Sequence, residues 1–206
     1  MISRRDLLKQ LGVAAAAAPV ALDAAAAQTP AAPVRREAFE TLTAAEADIL
    51  EAVTARLIPT DAAGPGAREA RAAHYIDRAL AGQLAAARAA YTSGLAALDA
   101  YARASKGTPF AALAPADQDA VLADVESDRA TGFTPSGRAF FTLVRAHTIE
   151  GTFSDPYYGG NANFVGWDLI GYPGVRVSVA PNEQQINVAI PANHKSAYDF
   201  GMFSKK

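Results

Sequence analysis

The sequence predicts a mainly α-helical protein: a compact cluster of about five helices, then an irregular aromatic- and glycine-rich C-terminal segment with at most a short β-strand or hairpin. Three observations predict it. Between residues 39 and 150, apolar side chains recur at helical period. Turn residues interrupt that pattern at Pro59, Gly82, Gly107 and Thr134-Pro135. After residue 150 the period vanishes and the composition changes, the last 56 residues holding nine of the 17 aromatics and seven of the 15 glycines but only five alanines.

The first element is an address. Residues 1–10 form a short basic region, and an alanine-rich apolar run of about a dozen residues follows, against about 20 needed to span a bilayer. Ala25-Ala26-Ala27 then offers a small-residue cleavage site before Gln28, so residues 1–27 read as a signal peptide. Within it, Ser3, Arg4, Arg5, Leu7, Leu8 and Lys9 stand in the register of the twin-arginine export motif. An ordinary basic region that contains paired arginines is the alternative, and the weakly hydrophobic run favours the twin-arginine route. That route carries folded proteins.

Residues 28–38 are rich in alanine and proline and read as a flexible leader. Thr43 and Glu46 have the spacing of a capping box, opening a helix whose Ile49, Leu50, Val53 and Leu57 share a face before Pro59 ends it. Residues 60–67 are a turn-rich connector, and a second helix is expected from about Arg68 to Leu80. The third has the clearest stripe: Leu84, Ala87, Tyr91, Leu95, Leu98 and Ala102. Pro115 opens a fourth, carrying Val121, Leu122 and Val125. Thr134-Pro135 opens a fifth, with Phe140, Phe141, Val144 and Thr148 inward. These helices form one antiparallel cluster over 39–150. Residues 151–206 wrap over it or over another protein, with Ile186, Val188 and Ile190 alternating as in a short strand.

Composition narrows the chemistry. With no cysteine there is no disulfide, no Cys-ligated iron–sulfur cluster and no C-x-x-C-H haem attachment. The net charge of −2 leaves no basic surplus for nucleic acid. Gly64-Pro65-Gly66 fits no nucleotide-binding spacing and reads as a turn. His147 and Glu150 stand three apart on a helix, close enough to pair, and with Asp155 they are the candidates for a stand-alone enzyme or a metal-binding protein. A di-iron site would want Glu-x-x-His on two helices, and no Glu-x-x-His occurs. Phe153, Asp155, Tyr157, Tyr158, Asn161, Trp167 and Tyr172 lie on Gly/Pro turns, as anchors of a partner interface or as a loop packed on the bundle.

Leu42-Thr43-Ala44-Ala45-Glu46, Leu57-Ile58-Pro59-Thr60-Asp61, Tyr75-Ile76-Asp77 and above all Glu150-Gly151-Thr152-Phe153-Ser154-Asp155-Pro156-Tyr157-Tyr158-Gly159-Gly160-Asn161, continued by Gly166-Trp167 and Gly171-Tyr172-Pro173-Gly174, resemble the gluconate 2-dehydrogenase subunit 3 family. The resemblance covers roughly residues 40–175. It implies a non-catalytic small subunit of a periplasmic, membrane-associated dehydrogenase of the gluconate, glucose, fructose or sorbitol type. In such complexes a large flavoprotein subunit holds FAD, and a multihaem cytochrome c typically passes electrons to quinone. The small subunit carries the twin-arginine signal and escorts the flavoprotein through the translocon. The resemblance assigns no catalytic, cofactor-binding or metal residue to this subunit. A chain with an export route for folded cargo, and no cofactor motif of its own, fits an escort.

Overall fold

The computed structural model describes residues 38–203, which form one compact unit. The export-signal residues Ser3, Arg4, Arg5, Leu7, Leu8 and Lys9 lie outside the described residues, as does the leader up to residue 37. Among the described residues are six α-helices and no strand: α1 (Ala44–Leu57), α2 (Ala72–Leu80), α3 (Arg88–Lys106), α4 (Pro115–Glu126), α5 (Gly137–Phe153) and the short α6 (Val165–Leu169).

The expected signals act where the sequence places them. Thr43 caps α1 by accepting from the Glu46 amide while the Glu46 carboxylate accepts from the Thr43 amide. Pro115 occupies the first turn of α4, and left-handed Gly107 closes α3. The inward faces are those the period picks out. Leu50, Val53, Tyr91, Leu95, Leu98, Ala102, Val121, Val125 and Val144 are all buried. Burying a side chain of this size contributes about 1.5–3 kcal/mol. Helix α5 is the hub, packing most extensively against α2 and α4 and also touching α1, α3 and α6.

Several elements differ from expectation, the third helix beginning at Arg88 after a 3-10 turn over Ala85–Ala87 rather than at Leu84. Helix α2 begins at Ala72 rather than near Arg68, because Arg71 is left-handed at φ 60° and resets the chain after a tight turn. Helix α5 starts after Ser136, whose hydroxyl accepts from the Ala139 amide, rather than at Pro135. It also runs on to Phe153, past the composition change at Gly151. Thr148 and Thr152 stay inside by bonding back to the carbonyls of Val144 (2.8 Å) and Thr148 (2.7 Å). Finally, Ile186, Val188 and Ile190 form no strand. Among the described residues no second strand lies alongside to pair with them, and Asn187 interrupts the run at φ 75°.

Candidate functional site

The segment after α5 is bound to the bundle by its backbone. The Asn161 amide donates to the Gly151 carbonyl (2.8 Å) and the Ala162 amide to the Ala70 carbonyl (3.1 Å). Gly160 permits this approach, since a Cβ there would sit 2.1 Å from the Gly151 carbonyl oxygen. The Asn161 side chain donates to the Ser154 carbonyl (2.8 Å) and accepts from the Gly166 amide (2.8 Å). The Trp167 indole donates to the Phe153 carbonyl (2.8 Å). Asn161 is 0% exposed and Trp167 5%. Both therefore staple the loop against the bundle, the packed-loop alternative, with their side chains turned inward.

Asp155 also works internally. Its carboxylate accepts from the Tyr157 amide (2.9 Å), the Ser196 hydroxyl (2.6 Å) and the Ala197 amide (2.8 Å). It thereby ties the C-terminal tail to the loop. Phe153 is half-buried at the end of α5. What remains outward is tyrosine: Tyr157, Tyr158 and Tyr172 are exposed. Tyr157 stacks on Tyr198 from the tail at 3.6 Å between ring centroids, and Tyr158 meets both rings edge-on. The Tyr158 and Tyr198 hydroxyls are 3.1 Å apart, and that hydrogen bond is the largest cause holding Tyr198 up at about 12, a neutral phenol. The tail residue Tyr198 is a member of this cluster that sequence reasoning missed, because 40 residues separate it from Tyr158.

Beside the cluster lies a cleft of about 160 Å³ lined by Tyr75, Arg78, Ala79, Gln83 and Tyr158. The Tyr75 hydroxyl donates to Glu150 (3.2 Å) and accepts from the Gln83 amide (3.3 Å). Burial first, then the Glu150 charge, pushes Tyr75 up to about 12. Two tyrosine hydroxyls, an amide and a guanidinium line this cleft with hydrogen-bonding groups.

His147, Glu150 and Asp155 do not form a working trio. Glu150 serves Tyr75, Asp155 serves the tail, and His147 reaches Nδ1 to the Tyr91 hydroxyl at 2.9 Å within the core. Tyr91 arrives from α3 and takes the imidazole Nδ1, while Glu150 acts on His147 through its charge from one turn away. Among the described residues, no three His, Asp or Glu side chains converge where a metal ion would need them. Burial pushes His147 below its ordinary value, against the opposing Glu150 charge, and favours the neutral imidazole hydrogen-bonded to Tyr91. Its contribution to stability is present above an unfolded value of about 6.5 and is lost as pH falls through the lowered folded value. Replacing Tyr91 with phenylalanine leaves a buried nitrogen unpaired. Equilibrium unfolding in urea should read a loss of about 1–3 kcal/mol.

A family model, gluconate 2-dehydrogenase subunit 3, matches residues 44–174. No curated protein and no solved structure matches the chain. The matched span takes in the helical bundle and the loop from Asp155 to Gly174.

Proposed function

The chain belongs to the gluconate 2-dehydrogenase subunit 3 family, and from that premise we propose that it is the non-catalytic small subunit of a periplasmic, FAD-dependent sugar or polyol dehydrogenase. It binds the flavoprotein large subunit in the cytoplasm, escorts it through the twin-arginine translocon and remains to stabilise it. FAD is held by that partner, and the complex is membrane-associated. The large subunit oxidises the substrate. The observation that carries this reading is the family match over the tyrosine-bearing loop, whose inner residues staple it while Tyr157, Tyr158 and Tyr172 stay outward.

Tyrosines held on a rigid loop lose little conformational freedom when a partner covers them. The test is co-expression with a flavoprotein large subunit of a gluconate 2-dehydrogenase-type complex, followed by affinity capture through this chain. Capture of a yellow, stoichiometric complex is expected. Changing Tyr157 and Tyr158 together to alanine should weaken association about 30-fold or more. The unfolding midpoint of the chain itself should move by only about a few degrees. Undiminished capture by the double variant would remove the tyrosines from the interface.

A further inference from the structure

The tail comes back to the tyrosine loop and straps it. Two backbone bonds bring it there: the Val175 amide donates to the Lys195 carbonyl (3.1 Å) and the Asn193 amide to the Pro173 carbonyl (2.9 Å). Gly174, at φ 93°, permits the crossing, since a Cβ there would lie 2.1 Å from the Asn193 side-chain oxygen. The next residues form one capped turn. The Ser196 hydroxyl accepts from the Tyr198 amide (3.1 Å), and the Asp199 carboxylate accepts from the Ser196 amide (2.7 Å). That turn delivers the Ser196 hydroxyl and the Ala197 amide to Asp155 and lays the Tyr198 ring on Tyr157. On the other side His194 meets Asp168 of α6 at 2.7 Å, and its ring stacks on Phe164.

The strap is held by polar contacts and stacked rings and adds nothing to the helical core. Of residues 193–200 only Ser196 is buried. Among the described residues, the main hydrophobic core holds none beyond Val144. A segment with so little buried apolar surface opens at a smaller free energy than the core elements. Residues 193–200 can therefore leave the loop while the bundle stays folded.

Opening changes the tyrosine pair. In the closed form Tyr198 covers one face of Tyr157, and Tyr158 meets both rings edge-on with its hydroxyl 3.1 Å from that of Tyr198. Tyr157 and Tyr158 nonetheless remain 49% and 41% exposed. Tyr198 thus fixes the two rings without hiding them. Once it leaves, both regain rotamer freedom that association with a partner must remove again. We propose that residues 193–200 are a reversible strap whose closed form is the partner-binding form, with Tyr198 as the positioning residue that holds Tyr157 and Tyr158 ready for the large subunit. The proposal rests on the small-subunit reading above and names the element that controls the same surface. Its opening step belongs to this chain alone.

Two measurements test it. The first is hydrogen exchange on the chain alone. The amides of Val175, Asn193 and Ala197, all bonded across the strap, are expected to exchange together, on the order of a hundredfold faster than those of Leu95 and Val144. In Tyr198→Ala the three should exchange about tenfold faster still, with Leu95 and Val144 unchanged. Strap amides as protected as the core, or core amides that speed up with them, would overturn the separate strap. The second is affinity for a flavoprotein large subunit of a gluconate 2-dehydrogenase-type complex. Tyr198→Ala should bind about tenfold more weakly, whereas Tyr198→Phe, which keeps the stacked ring, should stay within about threefold of wild type. Undiminished binding by Tyr198→Ala would overturn the positioning role and leave the small-subunit reading standing. Tighter binding would make the strap a cover that the partner displaces, which also overturns it. If the unaltered chain binds no large subunit, the small-subunit reading falls and the positioning role falls with it.

Discussion

Changing Arg4 and Arg5 together to lysine is expected to strand the dehydrogenase in the cytoplasm. In the proposed role this chain's export signal moves two polypeptides, so one edit here relocates the activity of another. Lysine keeps the charge but loses the planar, forked guanidinium that distinguishes paired arginines from any basic region. Periplasmic dehydrogenase activity should fall by about two orders of magnitude while the cytoplasmic fraction gains it. An ordinary secretory signal tolerates this change, so unaltered periplasmic activity would contradict the twin-arginine reading.

The largest stability effect is expected at Asp77. This carboxylate, 3% exposed on α2, accepts from the amides of Glu40, Thr41 (2.9 Å) and Leu42 (2.8 Å) and from the Thr41 hydroxyl (2.7 Å). It fixes the chain as it enters α1. Burial works to raise its carboxyl, but those donors outweigh burial and hold it below the ordinary carboxylate value. Asp77→Ala leaves several donors unsatisfied at once and should cost about 3 kcal/mol, lowering the midpoint by about 10 °C. Because the folded value lies below the unfolded one of about 3.9, Asp77's contribution is present above that pH and is lost as pH falls through the folded value. The wild-type chain should therefore lose stability below about pH 4, and the alanine variant should lose less over the same range. A variant as stable as wild type at pH 7 would show that the entry segment is held by something else.

The faces of the helices were legible because burial selects one side chain in each turn. The stripe from Tyr91 to Ala102 is readable without knowing what covers it. The thiol-free composition was readable in the same direct way. Positions whose meaning depends on distant partners were not. Phe110 is 0% exposed because Asp99 and Gln118 fix its backbone, and an isolated phenylalanine in a loop carries no such signal. His147 and Glu150 stand one turn apart, but Tyr91 and Tyr75 arrive from other helices and separate their roles. In the tyrosine loop the residue types were informative and their direction was not. Trp167 and Tyr157 are equally good anchors by composition, and only the close approach of Gly166 to α5 turns the tryptophan inward. A Cβ at Gly166 would lie 1.8 Å from the Thr152 carbonyl oxygen. Alternation at Ile186, Val188 and Ile190 failed as a strand signal for a related reason, since a strand needs a neighbour that this stretch does not have.

These distinctions separate two kinds of residue in the loop. Asp155, Asn161 and Trp167 bond their side chains to the chain itself, so changes there loosen the loop and act on a partner indirectly. Tyr157 and Tyr158 keep a face outward and act on it directly.

The central claim is that this polypeptide holds a redox enzyme without being one. The most direct measurement compares flavin absorbance and dehydrogenase turnover in two preparations: the chain produced alone and supplied with FAD, and the chain produced with the large subunit. The account predicts a colourless, inactive protein in the first and a yellow, active complex in the second. Bound flavin or turnover in the chain alone would contradict it.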